Sequence, residues 1–205
     1  MARRDQIKRQ TDLQLISGWI AQGSRVLDLG CGRGVLLEHL VKTKRCRAVG
    51  VDLEPDKVRH AVARGVSTYQ GDAMAFLREM PEASFDWVVI SRTLQELTEP
   101  AAVIREALRV GRHLAVGFVN HGYWLNRWAT LRTGSRPTNE VFPLHWQEGA
   151  PYNPVTVAGF QKFCAETGLR VEQRVFLRGD WRTPCGWLPN LRAGYAVYQV
   201  AAVQD

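Results

Sequence analysis

The sequence predicts an α/β fold, a doubly wound and mostly parallel sheet that ends in a C-terminal antiparallel hairpin. Three observations predict it. Short runs recur between helix-like segments from Arg25 to Val119, and they are apolar nearly throughout, as strands covered on both faces must be. Strands that alternate with helices imply parallel neighbours joined by right-handed crossovers. Near the C-terminus the runs Leu169 to Leu177 and Tyr195 to Val203 have no helix between them, so they should pair antiparallel.

The elements follow in chain order. Leu13, Ile16, Trp19 and Ile20 recur at helical spacing and stop at Gly23, which places an amphipathic helix within residues 1–22. A strand at Arg25 to Leu29 runs through glycines into a helix at Leu36 to Val41. The alternation continues with strand Ala48 to Val51, helix Pro55 to Arg64, strand Val66 to Tyr69, helix Met74 to Glu79 and strand Trp87 to Ile90. Helix Ala101 to Arg109 and strand His113 to Val119 extend it. From Asn120 to Pro154 the periodicity fails, and Trp124, Trp128, Phe142, Trp146 and Tyr152 are interleaved with Pro137, Pro143 and Pro151. A long aromatic loop in a compact fold is expected to be ordered and functional, so residues 120–154 read as an aromatic cap with a short helix near Tyr123 to Arg132. Helix Val155 to Thr167 ends at Gly168. With no repeat or linker in view, one domain over residues 1–205 is expected.

Composition narrows the function classes. The 27 Lys and Arg residues against 20 Asp and Glu give a net charge of +7, but the basic residues are scattered from Arg3 to Arg192. Their densest cluster, Lys42 to Arg47, falls at an expected helix end, where positive charge is favoured without any partner. Nucleic acid is therefore not expected as a partner. Cys31, Cys46, Cys164 and Cys185 show neither CxxC spacing nor an adjacent His cluster, so free thiols are expected, with no metal site. Met1 to Gln10 is charged, and no stretch approaches the roughly 20 apolar residues of a membrane span. A cytoplasmic location with no membrane partner is the expectation.

The chemistry is concentrated in VLDLGCGRGV, Val26 to Val35, where three glycines lie between an apolar strand and a helix. Glycine turns tightly and lets a ligand lie against the backbone. The spacing is GxGxG, which departs from the GxGxxG of dinucleotide sites. Asp52 follows the second strand, where a carboxylate can accept hydrogen bonds from ribose hydroxyls, and Asp72 holds the same place after the third. Carboxylates at a sheet edge repel phosphate and attract a cationic sulfonium nucleoside.

LDLGCGRG, the VGVDLEPD ending at Asp56, QGDA around Asp72 and FDWVVIS from Phe85 together resemble class I S-adenosylmethionine-dependent methyltransferases over roughly residues 13–120. The resemblance implies a Rossmann-like, seven-stranded class I methyltransferase fold with S-adenosylmethionine or S-adenosylhomocysteine in its crevice. It implies that Asp28 and the backbone of Gly30, Gly32 and Gly34 face the methionine part, and that Asp52 faces the ribose. Asp72 and Ala73 would face the adenine, Ser91 would close the pocket, and Cys31, Leu53 and Gly71 complete the implied set.

A closer resemblance is to the MetW family. It is carried by the helix Leu13 to Ile20 leading into GSRVLDLGCG, by ARGV at Ala63 to Val66, and by SRTLQEL from Ser91. LRVGRHLAVGF, FVNHGYW at Phe118 to Trp124, and Phe160 to Leu169 add to it. The chain departs from the family where Val119 replaces a proline and where PVTVAGF, from Pro154, replaces a TPNIH-like tract. The resemblance implies a role in methionine biosynthesis and a homoserine O-acyltransferase of the MetX type as partner, which this chain would act with or activate.

The alternative is an active methyltransferase on a small-molecule acceptor enclosed by the cap. Methyl transfer often needs a base. His121, Tyr123 and Tyr152 are the candidates, with His145 and Glu96 beside them, yet each has an ordinary structural explanation and the catalytic set stays open. Ser91, Arg92 and Thr93 stand where enzymes that methylate base amines carry (N/D)PP(Y/F), so that chemistry is disfavoured. The Trp-rich segment Asp180 to Leu191 reads either as an interface anchor or as a loop folded back on the core edge.

Overall fold

A computed structural model describes residue 11 and residues 14–135 and 152–202. Helical residues 14–19 form α1, and β1 is Arg25–Leu29. There follow α2 Val35–Lys44, β2 Arg47–Asp52, α3 Pro55–Ala63, β3 Ser67–Gln70 and α4 Ala73–Glu79. Next come β4 Phe85–Ser91, α5 Pro100–Val110, β5 Gly111–Val119 and α6 Trp124–Thr133. The chain ends with α7 Val157–Glu166, β6 Leu169–Leu177, α8 Pro189–Arg192 and β7 Tyr195–Ala202. Of the expected cap, Phe142, His145 and Trp146, with Pro137, Pro143 and Pro151, lie outside the described residues, as do residues 1–10 of the expected N-terminal helix.

The strands form one sheet in the order β3-β2-β1-β4-β5-β7-β6. The first five are parallel, and β7 pairs antiparallel with both β5 and β6. Alternation sends each central strand to two cores. On β1, Val26 packs with α1 and α2, while Leu27 and Leu29 pack on the face that holds α4, α5 and α7. On β7, Tyr195 and Val197 join the first core, and Ala196, Tyr198 and Val200 join the second. The first core gathers Ile16, Ile20, Leu37 and Leu40; the second gathers Ile104, Phe118 and Phe160. β3 differs from its expected character: it is largely exposed, because it is the sheet's edge.

Local signals explain the helix starts. Proline stands at the first helical position of α3, α5 and α8, where its missing N–H costs nothing. Asp72 caps α4 by accepting from the Ala75 amide at 2.9 Å, and Thr156 caps α7 through the Gly159 amide at 2.9 Å. The Lys42 to Arg47 cluster acts within the fold. The Lys44 ammonium donates to the Ser17 carbonyl and, at 2.6 Å, to that of Ile20, and so holds the end of α1. All four cysteines are buried free thiols.

Two buried amides organise the C-terminal edge of the sheet. Asn120, directly after β5, donates through Nδ2 to the carbonyls of Asn190 at 3.0 Å and Ala193 at 2.7 Å. Its Oδ1 accepts from the amides of Gly122 at 3.0 Å and Val157 at 3.1 Å. One side chain thereby fixes the entry to α6, the start of α7 and the turn around α8. Gln95 accepts from Val119 N at 2.9 Å and donates to the Tyr152 hydroxyl at 2.7 Å and the Asn153 carbonyl at 3.3 Å. Truncation at Asn120 strands several buried backbone groups at once, so Asn120→Ala is expected to lower unfolding free energy by about 3 kcal/mol, read from chemical denaturation.

Candidate functional site

The order of strands reverses between β1 and β4, and such a switch point opens a crevice at the carboxyl ends of the strands. The loop after β1 forms one wall. Its amides at Gly30 and Cys31 donate to the Val51 carbonyl at 2.8 and 3.1 Å, which pins the loop to β2. Gly30, Gly32 and Gly34 all have φ between 57° and 74°, the left-handed region that glycine enters without strain. They are glycines for different reasons. A β-carbon on Gly30 would lie 2.0 Å from Thr93 Oγ1, in the loop after β4, and one on Gly34 would lie 2.9 Å from Ala61 of α3. Gly32 meets nothing within 4 Å, so the loop's open surface lies there.

Asp52 is the second element. Its carboxylate is buried and accepts from Gly32 N at 2.8 Å through Oδ2 and from Glu54 N at 3.0 Å through Oδ1. One side chain thus ties the Gly loop to the entry of α3. Each oxygen keeps further acceptor capacity, which two vicinal hydroxyls could use. Leu53, beside it, is exposed, and Gly71 donates to the Asp52 carbonyl at 3.0 Å while the Tyr69 ring covers it closely enough to exclude a β-carbon. Asp72 is exposed and caps α4; Ala73 is buried.

The electrostatics are acidic. Asp28 on β1 is buried, and burial together with the Asp52 carboxylate pushes its pKa up to about 7. The Glu96 carboxyl is raised as well, by desolvation first and then by Glu54 and Asp52, with Lys57 opposing. Lys57 pairs with Glu54 at 2.6 Å. Burial raises the Cys31 thiol further still, with Asp28 and Asp52 adding to it, so the thiol stays neutral.

The structure brings most of the expected residues together: Asp28, Gly30, Cys31, Gly32, Gly34, Asp52, Leu53, Gly71, Asp72 and Ala73 lie at the ends of β1, β2 and β3. Ser91 is at the end of β4, where its hydroxyl shares a 3.2 Å hydrogen bond with Tyr195. The base candidates are set apart by their contacts. Tyr152 accepts from Gln95, the Tyr123 phenol lies against Gly179, and His121 faces Tyr152 with ring centroids 6.0 Å apart. His145 lies outside the described residues. Thr93 was read from sequence only as a departure from a base-amine motif, and Gln95, Asn120 and Lys57 were not singled out. The signal for the first three was their place in SRTLQEL and FVNHGYW, as polar residues just past apolar strands. Among the described residues no group of His, Cys, Asp and Glu could hold a metal ion, and no helix is long and apolar enough to cross a membrane.

Solved structures share the whole architecture. A SAM-dependent methyltransferase of Thermotoga maritima, described as a possible histamine N-methyltransferase, superposes with TM-score 0.66 at 17% identity, over 98% of this chain and 93% of that one. Magnesium protoporphyrin IX methyltransferase of Synechocystis PCC 6803, solved with bound SAH, gives 0.70 at 14% identity, over 98% of this chain and 86% of its own. The fold is therefore that of the class I methyltransferases. Within that class the model of the MetW family, methionine biosynthesis protein MetW, matches residues 10–200, and the chain belongs to that family. A bifunctional methionine biosynthesis protein MetXA/MetW of Rhodopirellula baltica is 28% identical over 202 residues, 93% of this chain and 32% of the relative. A ubiquinone biosynthesis O-methyltransferase of Paracidovorax citrulli is 33% identical over 104 residues, 45% of this chain and 43% of its own length. The chain thus spans less than half the length of these relatives.

Two measurements check the site's energetics. Asp52→Ala removes two charge-assisted bonds to backbone amides and is expected to cost about 2 kcal/mol of stability, read as a lowered denaturation midpoint. Asp28 binds its proton more tightly folded than unfolded. Its stabilising contribution is full below about pH 4 and is lost as pH rises through about 7. Asp28→Asn, which mimics the protonated form, should therefore gain stability relative to the parent between those values, and a pH-independent difference would contradict the assignment.

Proposed function

We propose that this chain binds S-adenosylmethionine or S-adenosylhomocysteine in the Gly-loop crevice and acts with, or activates, a homoserine O-acyltransferase of the MetX type in the cytoplasm. The observation that carries the partner is the bifunctional relative, whose name joins MetXA to MetW and of which this chain matches only 32%. Fusion of two activities holds them at high effective concentration, which is useful where separate chains must meet.

The crevice fits the nucleoside on its own terms. Gly32 leaves a surface open where a ligand can lie on backbone. Asp52 has acceptor capacity for ribose hydroxyls, and Asp28 is a buried carboxyl that a ligand ammonium would draw into its charged form. Leu53 and Gly71 flank the ribose position, Asp72 and Ala73 the adenine, with Cys31 on the loop and Ser91 at the far side. When bound, the sulfonium supplies a transferable methyl group. The tyrosines proposed from sequence as bases are engaged in packing or hydrogen bonding, so regulation through the partner is the better supported reading than transfer to a small acceptor. Regulation of this kind requires only that nucleoside and acyltransferase bias each other's affinity by one common factor.

Calorimetric titration with both nucleosides tests the pocket. Micromolar affinity, about −8 kcal/mol, is expected for the parent and is expected to be lost in Gly32→Arg. Binding near pH 6.5 should release a proton from Asp28, seen as a heat that depends on buffer ionisation enthalpy and vanishes in Asp28→Asn. Absence of binding in the parent would overturn the reading.

A further inference from the structure

The crevice leaves one prominent feature unused. No residue of α6 is buried, although this helix carries Trp124, Trp128 and Leu131. Trp128 is 59% exposed and Leu131 79%. Together with Leu191 of α8 and Arg127 they line a shallow, open groove of about 470 Å³. Trp187, just ahead of α8, is 67% exposed beside it in sequence, whereas Trp181 of the same segment is buried against Tyr195. The segment thus divides its tryptophans between the core and the surface. A ten-residue helix gains little from its own hydrogen bonds, so apolar residues on it that stay about half exposed or more point to a surface kept for contact.

Charge defines what fits there. The α6 and α8 sequences contain no acidic residue, and the charges on them are Arg127, Arg132 and Arg192. The Arg192 guanidinium lies 5.2 Å from the centre of the Trp187 ring. Asp180, at the start of the Trp-rich segment, is engaged within its own turn, accepting from Thr183 Oγ1 at 2.5 Å and from the amides of Arg182 and Thr183. Tryptophan and arginine are the residues enriched at energetic centres of protein interfaces. A complementary surface has apolar side chains that enter the groove and carboxylates around them.

We propose that the α6–α8 face is the docking surface for the MetX-type acyltransferase, through an apolar patch rimmed by acidic residues on that enzyme. The proposal rests on the partner named under Proposed function. The face is a shallow depression shared by two separate elements, α6 and α8, and so differs from the single continuous amphipathic helix by which a chain lies on a membrane. It is also rigidly placed: Asn120 bonds to the turn holding α8 and to the entry of α6, and a β-carbon on Gly122 would lie 2.7 Å from the Asn190 carbonyl oxygen. The same Asn120 follows the strand end that Gln95 binds, at the crevice edge.

The test uses the full chain and a purified MetX-type homoserine O-acyltransferase, with affinity measured by calorimetry. Trp128→Glu and Leu131→Glu are expected to weaken binding about 30-fold or more. The double variant Arg127→Glu with Arg192→Glu is expected to weaken it and to flatten its salt dependence. Trp128, Leu131 and Arg127 are exposed and Arg192 is half-buried, and unchanged S-adenosylhomocysteine binding verifies the fold of each variant. Parent affinity with no loss in the variants would overturn the docking face and leave the partnership standing. No binding by the parent would overturn the partnership and the face with it. Parent sedimentation with phosphatidylglycerol vesicles, or parent self-association, that is lost in Trp128→Glu while acyltransferase binding is unchanged would assign the face to a membrane or a second copy and overturn the proposal.

Discussion

Between β1 and β4 the order in which strands are added reverses, and the rest of the site depends on that reversal. The loop leaving β1 turns to the face covered by α2, and the loop leaving β4 turns to the face covered by α5. Loops that diverge from adjacent strands leave a crevice. Gly30 decides where the crevice stops, because its missing side chain allows Thr93 to close on it. Two residues later, at Gly32, the walls have separated and backbone is open to a ligand. The difference between these glycines is the difference between packed and open backbone.

The electrostatic arrangement is costly for the protein alone. Asp52 acts on Asp28 and, with Glu54, on Glu96, where desolvation is the main cost and Lys57 opposes it. Asp52 is held by two amides; Asp28 is driven toward its neutral form. A buried carboxyl held near neutrality beside a second, amide-bound carboxylate is the kind of arrangement from which a cationic ligand would gain. A cation bearing vicinal hydroxyls would offset the cost at Asp28 by giving it a counter-charge, and would offer Asp52 further donors. Acyl chemistry would remain with the partner, and this chain would contribute recognition.

Much of this was legible in the sequence. The strand ends emerge within a few residues because the central strands are covered on both faces and their apolar runs therefore stand out, as at Arg25–Leu29 and Leu169–Leu177. The GxGxG loop and Asp52 were legible because their chemistry is local. β3 was read one residue early, since the buried Val66 precedes an exposed edge strand. The roles of Gln95 and Asn120 were not legible: each bonds to groups that are distant in sequence, and composition carries no trace of such partners. The division of Trp181 from Trp187 likewise depends on Tyr195 arriving from β7, more than a dozen residues after the first of them.

The most direct measurement is the rate of a MetX-type homoserine O-acyltransferase with and without this chain, at increasing S-adenosylmethionine. The account predicts a rate that changes when the chain is added, a change that depends on nucleoside concentration, and loss of that dependence in Gly32→Arg. A rate indifferent to both chain and nucleoside would contradict it.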